Sequence, residues 1–211
     1  SFVNLAEEEG ADTLKLQAAL LSREMDRSLT WEIVAWLRRL WDGPLLIKGV
    51  LHPEDASKAC AAGVDGLIVS NHGGRQLDGA ISAIGALNGV LQAVDGRIPV
   101  FADSGFRSGL DIAKALALGA KGVFIGRPVL YGLATGGAQG ATSVLELIGT
   151  ELERAMTLAG AHDVAALNRE LLRSASLRLH HDIHEDGIHE QRKSSRLCRR
   201  ARRRPLGDGA A

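Results

Sequence analysis

Residues 44–127 read PLLIKGVLHPEDASKACAAGVDGLIVSNHGGRQLDGAISAIGALNGVLQAVDGRIPVFADSGFRSGLDIAKALALGAKGVFIGR, and the fold is decided there. Short apolar runs rich in β-branched residues alternate with longer runs of helical period, the pattern of βα units feeding a parallel sheet. Four strands are predicted: Leu45–Val50, Gly66–Asn71, Pro99–Asp103 and Gly122–Gly126. A helix opened by Pro53 and closed by Gly63 follows the first strand, and another over Leu110–Leu118, stopped by Gly119, follows the third. The strands are almost continuously apolar, so burial on both faces is expected. Four βα units make half of a (β/α)8 TIM barrel, which leaves two sheet edges needing a partner or further sequence. An open doubly wound sheet would normally carry a glycine-rich turn after its first strand, and none follows Val50. The fold class is therefore read as α/β, the C-terminal half of such a barrel.

Outward from this stretch, Val144, Leu145, Leu147, Ile148, Leu152, Met156 and Leu158 form an amphipathic pattern running to Gly160, the covering helix of the last unit. Upstream, Trp31 to Leu40 carries an apolar helical stripe with Thr30 as N-cap. Periodicity fades from about Ser174, which gives three regions: 1–29, a half-barrel over 30–173, and a low-order basic tail over 174–211. With 45% hydrophobic and 24% charged residues, the 211-residue chain reads as soluble and globular. Its formal charge of +0 conceals six arginines between Arg196 and Arg204. No aromatic interleaving accompanies them, so a solvated tail is favoured over nucleic-acid binding. Cys60 and Cys198 stand far apart and fit a reducing cytoplasm better than a disulfide. No run approaches the roughly 20 apolar residues of a membrane span, which leaves only peripheral membrane contact open.

The strand ends concentrate polar chemistry, and the C-terminal face of a barrel is where ligands bind. Lys48 interrupts an apolar strand; alone it reads as a snorkelling structural residue, and beside the other motifs as a cation at the barrel mouth. Ser70-Asn71-His72-Gly73-Gly74-Arg75-Gln76-Leu77-Asp78 places an imidazole and a guanidinium three residues apart across two glycines. Histidine is suited to take a proton near neutral pH, and arginine to grip a carboxylate by two parallel hydrogen bonds. Asp103-Ser104-Gly105-Phe106-Arg107-Ser108-Gly109 and Gly126-Arg127-Pro128 put glycine near arginine at two consecutive strand ends, an arrangement suited to phosphate. No metal-ligand spacing accompanies them.

In order and spacing, Ile47-Lys48-Gly49, Ser70–Asp78, Asp103–Gly109 and Gly126-Arg127-Pro128 resemble the FMN-dependent 2-hydroxy-acid oxidoreductases over roughly residues 26–160. That family includes glycolate oxidase, lactate oxidase, lactate dehydrogenase and mandelate dehydrogenase. The resemblance implies FMN as cofactor and a small L-2-hydroxy acid as substrate, with oxygen, a quinone or a cytochrome as electron acceptor. It implies Lys48 and Ser70 against the flavin, His72 as catalytic base and Arg75 on the substrate carboxylate. Asp103 would hold the ribityl chain, and the segment of Ser104, Gly105, Phe106 and Arg107, with Gly126 and Arg127, the phosphate end. Ser104 and Phe106 resemble the mandelate dehydrogenase-like branch; the family's commoner segment has glycine at the place of Ser104 and a basic residue at that of Ser108. Residues 1–29 resemble the end of the long loop after the fourth strand, and the strands before it are not matched. A homo-oligomer is expected, in the cytoplasm or peripheral to the inner face of the membrane. Two other readings stand beside this one: a catalytically inactive fragment retaining part of the FMN site, and a phosphate-binding barrel of unrelated chemistry.

Overall fold

A computed structural model describes residues 28–173; the expectations for most of 1–29 and for the basic tail lie outside them. Helix α1 (Trp31–Leu40) precedes strand β1 (Leu46–Lys48), helix α2 (Pro53–Ala61) and strand β2 (Gly66–Val69). Helix α3 (Ala83–Val94), strand β3 (Val100–Ala102), helix α4 (Gly109–Leu118), strand β4 (Gly122–Val123) and helix α5 (Arg127–Leu158) complete the alternation. The four strands are parallel and lie in sequence order, β1-β2-β3-β4. A doubly wound sheet would reverse its order at a switch point, whereas a barrel adds each strand beside the last. The sequential order is that of a barrel segment.

The helices begin and end where side chains make it favourable. Pro53 opens α2 behind His52, whose ring accepts the Glu54 N–H, and Gly63 follows its end at φ 76°. Ser82 caps α3 by accepting the Gly85 N–H, and α4 ends on Gly119 at φ 118°, a conformation other residues rarely adopt. Thr30 occupies the N-cap of α1 with extended dihedrals, but its side chain makes no capping bond, unlike the expectation. Helix α1 is tied instead by Arg38, which donates to Asp65 at 2.7 Å and to the Gly43 carbonyl at 2.7 Å. Asp65 also accepts the Leu45 N–H at 2.7 Å, so one carboxylate fixes the entry to β1.

Burial on both strand faces is the expectation that the structure corrects. Side chains alternate across a strand, and Leu67, Val69, Val100 and Ala102 on the helix-covered face are at most 2% exposed. They form the core with Ala56, Ala59, Leu87 and Val90 of α2 and α3. On the opposite face Ile68 and Phe101 are only half-buried, and Leu46 and Phe124 are exposed. That second face is the interior of a closed barrel, and the described residues cover it only in part. The strands are also shorter than predicted, because each chain leaves the ladder as its polar end begins. The helix expected around residues 144–160 is longer and broken: α5 starts at Arg127 and kinks at Gly136 and Gly137, the latter at φ 58°. The kink lets Gly132 and Gly140 touch backbone to backbone, where a Cβ on Gly132 would lie 2.4 Å from the Gly140 carbonyl oxygen.

Candidate active site

The C-terminal ends of the strands open into one cleft of about 300 Å³. Lys48 enters from the end of β1, and His72 and Arg75 from the turn after β2. Asp103, Ser104, Gly105, Phe106 and Arg107 come from the loop after β3, and Gly126 and Arg127 from the start of α5. Of the residues singled out in the sequence, ten line this cleft and Ser70 lies beneath it at 2% exposure.

Backbone conformation shapes the His72 turn. Asn71 accepts the Gly73 N–H on its side chain at 3.0 Å, which starts a single 3-10 turn over His72–Gly74. His72, Gly73 and Gly74 have φ of 55°, 70° and 75°, and two of these three left-handed positions are filled by the residue that tolerates them. Arg75 returns to φ −80° and donates its N–H to the His72 carbonyl at 3.4 Å. Both side chains are exposed toward the cleft, so ligand can reach them.

Beneath the turn, Lys48 Nζ donates to Ser70 Oγ at 2.9 Å and pairs with Asp103 Oδ2 at 3.2 Å. Ser104 Oγ donates to Asp103 Oδ1 at 2.5 Å. Burial of Asp103 favours its neutral form, but hydrogen bonds from Ser104, Ser70 and Lys48, with the Lys48 charge, prevail and hold the carboxyl below its ordinary range. The cleft thus has one ionised acid facing Lys48, Arg75, Arg107, Arg127 and an imidazole, a balance that favours anions.

The anion-binding groups are narrower than a helix start would suggest. At α4 the N–H groups of Arg107 and Ser108 go to Asp111 Oδ2, at 3.1 and 3.2 Å, and that of Gly109 to Glu151 Oε2 at 2.9 Å. These three donors, with the Asp111 N–H taken by Ser108 Oγ at 3.2 Å, are committed within the chain and are not offered to a phosphate. By contrast, the N–H groups of Gly105, Phe106, Gly126 and Arg127 have no acceptor among the described residues. A Cβ on Gly105 or Gly126 would meet open space, so both backbones are accessible. With two guanidinium groups beside four free N–H donors, the set fits a phosphate monoester, and the Asp103 carboxylate beside it fits a polyol. The residues present therefore suit the phosphate and ribityl end of FMN. The Phe106 ring belongs to the hydrophobic core, which leaves its N–H as its contribution here.

Sequence reasoning missed Phe124, Ile125 and Leu130 as cleft walls. The signal was the end of β4: Phe124 was counted inside the strand, whereas β4 stops at Val123 and the ring faces Phe101 at 5.9 Å between centroids. Among the described residues no group of three or more His, Cys, Asp or Glu side chains gathers as a metal site would require.

Comparison with known proteins agrees with this geometry. The family model for FMN-dependent dehydrogenases matches residues 3–174. An L-lactate dehydrogenase of Caulobacter vibrioides is 51% identical over 152 residues, which are 72% of this chain and 40% of that protein. An FMN-dependent alpha-hydroxy acid dehydrogenase of Penicillium citrinum is 48% identical over 165 residues, 78% of this chain and 41% of that protein. Among solved structures, the monotopic membrane protein (S)-mandelate dehydrogenase superposes with a TM-score of 0.72 at 47% identity, covering 79% of this chain and 44% of that one. The chain thus spans about 40% of the length of these curated relatives. Since the family match runs through all the described residues and the strand order is that of a barrel segment, the chain belongs to the FMN-dependent dehydrogenase family.

Proposed function

We propose that this chain supplies the FMN-phosphate and substrate-binding side of an enzyme that oxidises an L-2-hydroxy acid of the lactate, glycolate or mandelate class to the 2-oxo acid. One observation carries the reading: an exposed imidazole and Arg75 share a single turn and line the same cleft as Arg107 and Arg127. Arg75 grips the substrate carboxylate through two hydrogen bonds and so fixes the hydroxyl-bearing carbon relative to His72. His72 takes a proton from the substrate as general base. The chemistry that FMN would supply in this cleft is acceptance of the equivalent of a hydride from the substrate carbon. Lys48 contributes positive charge that favours a reduced, anionic ring, and Ser70 orients Lys48. Arg107 and Arg127, with the free N–H groups of Gly105 and Gly126, hold the phosphate, and Asp103 the ribityl side. The electron acceptor is of the oxygen, quinone or cytochrome class. Peripheral contact with a membrane is supported by the monotopic relative, and among the described residues no helix is long and apolar enough to cross one.

A second reading, that these residues retain the FMN site but turn over nothing unaided, is favoured by the interior face of the sheet, which the described residues cover only in part. Loading the purified chain with FMN and following reduction of a dye by lactate, glycolate and mandelate separates the two. Dye reduction by one of them supports the first reading. Bound FMN without dye reduction supports the second, and failure to bind FMN under any condition rejects the cofactor assignment.

A further inference from the structure

The turn that carries His72 rests on two serine hydroxyls at the ends of neighbouring strands. Ser70 accepts the His72 N–H at 3.1 Å, and Ser104 accepts the Gly73 N–H at 2.9 Å. The two Oγ atoms are 3.4 Å apart. A hydroxyl has one proton to give and two acceptor positions. The Ser104 proton is committed to Asp103 Oδ1 at 2.5 Å, while the other carboxylate oxygen meets Lys48 at 3.2 Å. The ionised Asp103 therefore orders the Ser104 hydroxyl so that a lone pair faces Gly73.

Ser104 itself has φ 75°, and the described residues other than glycine that share a positive φ are His72 and Asp95. Such conformations are costly for residues with a Cβ and persist where neighbouring contacts hold them. At this site the two strained residues, Ser104 and His72, are joined through the single N–H of Gly73. Nothing else among the described residues accepts that N–H except the Asn71 side chain inside the same turn. Ser104 is thus the tie between the turn and the next strand.

We propose that Ser104 is a positioning residue for His72: its hydroxyl, ordered by Asp103, clamps Gly73 and thereby sets where the imidazole stands. The role rests on the functional reading above and differs from a cofactor contact, because it acts through the turn.

Two substitutions test it in the full chain. Ser104→Ala removes Oγ and keeps the Cβ; Ser104→Gly removes Oγ and also relieves the positive φ, so a folding defect in the first is not expected in the second. Without FMN, hydrogen exchange at the Gly73 amide, read by mass spectrometry of overlapping peptides, should accelerate about tenfold in both variants, the factor corresponding to one ordinary hydrogen bond. In the FMN-loaded enzyme kcat should fall by a similar factor while KM and FMN content per chain stay near their starting values. Unchanged Gly73 exchange in both variants would overturn the clamp. Loss of FMN with unchanged turnover per bound flavin would overturn it too, making Ser104 a cofactor contact. If the parent chain with bound FMN oxidises no 2-hydroxy acid, the functional reading fails; accelerated exchange measured without FMN would still establish the clamp.

Discussion

Asp103 is where charge, burial and hydrogen bonding meet at the site. Burial pushes its carboxyl up, while Ser104, Ser70 and Lys48 together push it down, and the net result lies below the ordinary 3.8. A carboxyl whose folded pKa is below its unfolded one contributes stability that is present above the unfolded value and lost as pH falls through the folded one. Denaturation midpoints should therefore drop on acidification below about pH 4, the unfolded carboxylate range. Asp103→Asn should flatten that part of the curve, and an identical acid dependence in the variant would refute the assignment. His72 lines the same cleft, with general base as its proposed task. In an FMN-loaded context His72→Ala should lower turnover by about 10²-fold to 10⁴-fold with little change in FMN content, the range typical of a lost general base. Arg75→Lys should raise KM strongly, since a point charge cannot reproduce a bidentate fork; an unaltered dependence on substrate concentration would count against it. These residues were legible in sequence because His72-Gly73-Gly74-Arg75 packs its chemistry into four consecutive positions. The hydroxyl of Ser104 reaching Gly73 was not, because the two are 31 residues apart.

Among the elements, the positions of the four strands and the start of α2 followed directly from apolar runs and Pro53, whereas the start of α4 at Ser108, whose side chain forms a capping box with Asp111, was not read. Helix α5 was read only in its second arm. Leu130, Tyr131 and Leu133 of the first arm are exposed, so they leave no buried stripe for a periodicity argument to find. The Glu151 carboxylate on the Gly109 N–H was equally hidden, being 42 residues away. It has a stability consequence: Glu151→Ala should destabilise the chain by about 1 kcal/mol, the usual worth of a helix cap, in urea denaturation. At the same contact, a Cβ on Gly109 would lie 2.0 Å from the Leu152 backbone nitrogen, which a side-chain rotation cannot relieve. Gly109→Ala should therefore cost more, about 1–3 kcal/mol, as α4 and α5 are forced apart. A Gly109→Ala variant as stable as the parent would mean that the two helices pack less tightly than described.

For the whole molecule, four parallel strands in sequence order account for a ligand cleft at their C-terminal ends and for an interior face only partly covered. The sequence showed the strand count through its alternation; the openness of that face depends on neighbours beyond β1 and β4, which no local pattern records. Among the described residues β1 and β4 pair with no further strand, and with exposed Leu46 and Phe124 they promote association. A polypeptide of these 211 residues should elute in light-scattering chromatography with a mass above that of one chain; a stable monomer would contradict the half-barrel expectation. The cleft itself is tested most directly by titrating the chain with FMN and with riboflavin, which differ by the phosphate alone. FMN should bind at least about tenfold more tightly, because charge-assisted hydrogen bonds to the phosphate are worth roughly 1.5–3 kcal/mol. Arg107→Ala and Arg127→Ala should each reduce that preference while leaving riboflavin affinity nearly unchanged. Equal affinity for the two ligands in the parent chain, or equal losses for both in the variants, would contradict a phosphate site built from Arg107, Arg127 and the free N–H groups between them.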